Sequence, residues 1–150
     1  MDRNDVVETL NDLIENCKDG EYGFRTCAEH AKSADLKSVF SQRAGECRQG
    51  AQELQSLVAR FGGTPDTTGT AAGAAHRGWI AARAAVSLDD DQAMLNECER
   101  GEDIALNRYR KALEQDLPPE VEQVVRRQYE GARRNHDQIK ALRDSYKTTA

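Results

Sequence analysis

Apolar positions recur at three- and four-residue intervals along most of this chain, and the stripes they draw predict four long helices. The first covers about 4–32 and places Val6, Leu10, Leu13, Cys17, Gly20, Phe24, Cys27 and Ala31 on one face. Asp5-x-x-Glu8 has the form of a capping box at its start. The second covers about 34–61, after Ser33 as N-cap and with Asp35 in the first turn, where the helix dipole favours an acid. Its stripe is Leu36, Phe40, Arg43, Cys47, Gly50, Leu54, Leu57 and Phe61, and Gly62-Gly63-Thr64-Pro65 stops it. The third covers about 90–115 behind the capping signal Asp89-x-x-Gln92. The fourth opens at Pro119, a residue suited to a first helical turn, and runs to about 146. It turns Val121, Val125, Gln128, Ala132, Asn135, Ile139, Leu142 and Tyr146 inward, and residues 147–150 are expected to fray.

The halves of the chain echo each other. Leu13-Ile14, Cys17, Gly20 and Glu21 return 81 residues later as Met94-Leu95, Cys98, Gly101 and Glu102. Leu36, Val39, Phe40, Leu54 and Leu57 return at a spacing of 85 as Val121, Val124, Val125, Ile139 and Leu142. An internal repeat of this kind describes two copies of one helical hairpin. Between them, 62–70 is turn-rich, and 71–86 is alanine-rich with Trp79 as its packing anchor. Read as a helix, 71–86 rises ~24 Å, enough to carry the chain back along the bundle. The second and third helices would then run parallel. Two antiparallel hairpins joined by a long crossover make an all-α, ferritin-like four-helix bundle with an extra short helix in the crossover. A single domain spanning 1–150 is expected.

Composition narrows the partners. Charged residues make up 31% of the chain and the net charge is −5, with no basic run interleaved with aromatics. Nucleic acid and anionic membranes are therefore disfavoured as partners, and no apolar stretch is long enough to span a bilayer. Without a signal-like apolar N-terminus, a cytoplasmic setting is expected, in which Cys17, Cys27, Cys47 and Cys98 stay reduced and pack as small core groups. The partners this leaves are another protein or a second copy of the chain.

The run Asn11-Asp12-Leu13-Ile14-Glu15-Asn16-Cys17-Lys18-Asp19-Gly20-Glu21-Tyr22-Gly23-Phe24-Arg25 resembles a bacterial family of uncharacterised ferritin-like four-helix bundles. Arg77-Gly78-Trp79, Glu97-Cys98-Glu99-Arg100-Gly101-Glu102 and Asn135-His136-Asp137 are similar to it too. The resemblance runs from about Leu10 to Leu142. It implies the bundle fold and carries no activity with it.

Carboxylate-bridged di-metal bundles take one glutamate from each of two helices and a Glu-x-x-His from each of the other two. Glu21 and Glu102 occupy the first kind of position. The second kind is incomplete, because Glu46-x-x-Gln49 and Gly131-x-x-Arg134 stand where Glu-x-x-His is needed. Counted from the second hairpin turn, His136 falls about one helical turn beyond Glu102. Arg43, on the inward stripe, is expected to pair with Glu21, while Gln128 and Asn135 serve Glu102. This polar network of Glu21, Arg43, Glu102, Gln128 and Asn135 describes a non-catalytic protein with no cofactor. The alternative is an iron or manganese site built on Glu21, Glu46, Glu102 and His136, in an oxidative-stress oxidoreductase or a metal-handling protein.

Overall fold

The computed structural model describes residues 1–65 and 90–149, and the expected crossover helix at 71–86, with Trp79, lies outside them. Four helices are described: α1 (Arg3–His30), α2 (Ala34–Arg60), α3 (Asp91–Leu113) and α4 (Pro119–Thr149). Side-chain caps set three of the starts. Asp2, rather than the expected Asp5-x-x-Glu8 box, caps α1 by accepting from Asp5 N at 2.9 Å. Its carboxylate lies one turn earlier and takes the donor that the box was expected to serve. Ser33 caps α2 as expected, and Asp90 rather than Asp89 caps α3, accepting from Gln92 N at 2.9 Å. Gly62, at φ 74°, closes α2 in the left-handed conformation that glycine adopts without strain. The fourth helix runs to Thr149.

Contacts at the two ends fix the directions. The carboxylate of Asp91, at the start of α3, accepts from Lys32 N (2.9 Å) and Ser33 N (3.1 Å) in the α1–α2 turn. At the far end, Thr9 Oγ1 donates to Gln115 Oε1 at 3.0 Å. Helix α3 is therefore antiparallel to α1 and parallel to α2. Arg60, closing α2, pairs with Glu120, opening α4, so those two are antiparallel. Helix α1 packs on α2 and α3, and α4 packs on α3 and α2. The parallel α2–α3 pair is the ferritin-like arrangement that the repeat and its long connection implied.

The core has two apolar parts. One contains Leu10, Leu13, Leu54, Val58, Val121 and Val125, near the start of α1. The other contains Phe24, Cys27, Phe40, Leu95, Cys98 and Ile139, near the α1–α2 turn. Between them α1 and α2 touch closely: a Cβ on Gly20 would stand 2.7 Å from Cys47 Sγ. The roughly 1 kcal/mol that glycine costs a helix is offset by this approach. At the same level the other helices present polar groups, and a cavity opens.

Candidate functional site

The cavity lies in the middle of the bundle, with a volume of about 770 Å³. All four described helices line it: Asp19 and Gly20 from α1, Arg43 and Glu46 from α2, Glu102 from α3, Gln128 and Asn135 from α4. Helical spacing explains Arg43, which follows Phe40 by three residues and shares its inward stripe. Its guanidinium is 4% exposed. It donates to Glu46 Oε1 at 3.0 Å and to Gln138 Oε1. Glu46 also accepts from Asn135 Nδ2 at 2.7 Å, so one carboxylate joins α2 to α4.

Glu102, 8% exposed, is the carboxyl buried deepest on α3. Burial pushes its pKa up to about 8, the Arg43 guanidinium pulls it down, and Asp103, Glu46 and Glu99 add to the rise. Its Oε1 has no hydrogen-bond partner among the described residues. Gln128 does not serve it. That amide accepts from the Tyr109 hydroxyl at 2.9 Å and donates to Glu53 Oε1 at 2.8 Å and to Gly50 O at 3.3 Å. Tyr109 lies 3.6 Å from Cys17 Sγ, and Arg127 closes the chain of contacts on Glu53. Gln128 and Asn135 thus belong to two separate networks along α2 and α4, not to one around Glu102.

The expected Glu21–Arg43 pair does not form. Glu21, with 27% of its side chain exposed, lies 3.9 Å from Arg25 and lines an outer groove between α1 and α2. Equal repeat position does not give equal facing, because α1 meets α3 through a different side from the one it turns to α2. Asp19 takes the inward place. It is 7% exposed, its Oδ2 lies 4.0 Å from Arg108, and its Oδ1 has no partner among the described residues. Burial raises its pKa to about 7; Arg108 lowers it, and Glu15 and Asp12 raise it. The sequence signal for Asp19 was faint, since an acid one residue before an inward glycine reads as solvent-facing.

His136 stands level with Glu102 rather than a turn beyond it, with Nε2 2.7 Å from Oδ1 of the adjacent Asp103. The two helices of the second hairpin are offset along their axes, so counting from the turn placed it wrongly. Ligand atoms of Glu99, Asp103 and His136 lie within 4.8 Å of one another, although Arg143 already holds the Glu99 carboxylate. His30 is exposed at the end of α1, and His76 lies outside the described residues. Burial pushes the Cys47 and Cys98 thiols up, and that of Cys17 to about 11, so all three resist forming the thiolate that reacts.

The di-metal centre of ferritin-like bundles does not fit these residues. Among the described residues no histidine lines the central cavity, and a buried guanidinium occupies the level where ligands would meet. The family termed Domain of unknown function (DUF2383) matches residues 5–115. This chain belongs to that family. A solved structure of a Mycobacterium smegmatis Dps1 mutant is similar to it with a TM-score of 0.76 and 15% identity, covering 94% of this chain and 96% of that one. At that identity the likeness shows the fold alone. No curated protein matches the sequence. Among the described residues no helix is long and apolar enough to cross a membrane.

Proposed function

We propose that this DUF2383 chain is a metal-free ferritin-like bundle protein without catalysis of its own, acting through what it binds. The observation that carries this reading is Arg43. Its buried guanidinium supplies, at the centre of the bundle, the positive charge that a metal ion would otherwise supply to the surrounding carboxylates. Glu46 and Gln138 accept from it, and Asn135 holds the second oxygen of Glu46 in place. A protein partner or self-association in the cytoplasm belongs to the same proposal, and light scattering tests the second. Elemental analysis of protein purified without chelators, followed by anaerobic iron(II) titration, tests the first. Substoichiometric metal and no oxygen uptake are expected. Stoichiometric iron or manganese, with oxygen uptake on titration, would overturn it.

One observation favours a second reading, in which iron or manganese binds. The Glu99–Asp103–His136 cluster offers two carboxylates and an imidazole on facing helices. A metal there would have to displace Arg143 from Glu99. His136→Ala tests it: metal stabilisation lost in this variant and retained in Glu21→Gln would place the ion at the cluster.

A further inference from the structure

We propose that the central cavity binds an aliphatic diamine, with one ammonium group on Glu102 and the other on Asp19. This rests on the cavity being free of metal. Its volume of about 770 Å³ suits a small organic molecule and is far larger than one ion needs. Phe24, Cys47, Ile104 and Ala105 give it apolar wall, against which methylene groups can lie.

The charges select a cation. Arg43 is matched by Glu46 at 3.0 Å, and Arg127 is matched by Glu53. Arg134 is exposed at the rim. Asp19 and Glu102 also line the cavity, both buried, each with one oxygen that has no hydrogen-bond partner among the described residues: Glu102 Oε1 and Asp19 Oδ1; Arg43 Nε is a buried donor without one. An unsatisfied buried acceptor is costly, and an ammonium group brings three donors and the opposite charge. Glu102 faces Arg43 and Glu46 from α2 and Glu99 and Asp103 on its own helix. Asp19 faces Arg108 from α3 and Glu15 and Asp12 on its own helix. Among the described residues neither carboxyl has a cation within ordinary ion-pair distance except Arg108, at 4.0 Å from Asp19.

The spacing selects a diamine. Cys27 meets Cys98 at 3.8 Å and Cys17 meets Tyr109 at 3.6 Å, so Glu102 stands opposite Gly23 or Phe24 of α1. Asp19 lies four or five residues further along α1, about 6–7.5 Å along the helix axis at 1.5 Å per residue. A four-methylene chain between two nitrogens bridges that gap.

Isothermal titration of the full chain at pH 7 with 1,4-diaminobutane tests this. One saturable site is expected, and 1-aminobutane should bind about tenfold more weakly or worse, having lost one ion pair. Glu102→Gln and Asp19→Asn, both near-isosteric, should each weaken the diamine about tenfold. Circular dichroism confirms that both variants fold. No saturable heat, equal affinity for the monoamine, or unchanged affinity in both variants would overturn the proposal. A manganese titration separates the failures. Stoichiometric manganese that excludes the diamine sinks the metal-free reading as well, whereas absence of both ligands sinks the diamine alone.

Discussion

Replacing Glu102 by glutamine should stabilise the protein at alkaline pH and flatten the dependence of its stability on pH. In the folded state burial raises the pKa of Glu102 from 4.5 to about 8. The folded protein therefore binds more protons than the unfolded chain throughout that window. Its stability contribution is fully present below about pH 4.5 and is lost as pH rises through about 8. At 1.36 kcal/mol per pH unit the loss reaches roughly 4–5 kcal/mol, and water entering the cavity should reduce it to about 2–4 kcal/mol. Glutamine keeps the shape and cannot ionise. Urea unfolding of both proteins at half-unit steps from pH 5 to 9 measures the difference. The two curves should lie close together at pH 5 and separate by about 2–4 kcal/mol at pH 9, with the variant the more stable. At this chain length that is on the order of 10 °C in melting temperature. Parallel curves, or a variant less stable than wild type at pH 9, would refute the assignment of a protonated Glu102 to the folded state.

Other substitutions probe the same region. Arg43→Met keeps the bulk and removes the cation that lowers the Glu102 pKa, so the upper limb of that stability curve should move to higher pH; an unmoved limb would separate the two groups. Gly20→Ala should cost roughly 1–3 kcal/mol through overpacking against Cys47 Sγ, and Cys47→Ala in the same chain should restore most of it, as a double-mutant cycle in urea would show. Asp91→Ala should cost about 1–2 kcal/mol by leaving two turn N–H groups without their carboxylate, with faster amide exchange at Lys32 and Ser33 as the local signature.

The bundle was legible because its information is periodic. Leu10, Leu13, Phe40, Leu54, Val121, Val125 and Ile139 all follow the three-and-four spacing, and all are buried. The parallel α2–α3 pair followed from the long connection between them, and Arg43 from its place on the stripe. What the pattern could not give was facing within a layer. A stripe describes one side of a helix, yet each helix here packs on two neighbours, so a second inward side is drawn in polar letters. Asp19 sits on that side of α1 and looks like a solvated acid, while Glu21, matched to Glu102 by the repeat, turns to the outer groove. The offset of α3 against α4 had no sequence signature either, and it decided where His136 stands.

Placing the cavity between the two apolar clusters divides the bundle lengthwise into halves that share helices but few direct side-chain contacts. The residues packed around Val6 and Leu57 and those packed around Phe40 and Cys98 form two separate clusters. Each end thus has its own free energy of opening, lower than that of the whole. The molecule resembles a hollow beam with two plugs: it can breathe from either end, and whatever fills the middle makes the two ends cooperate.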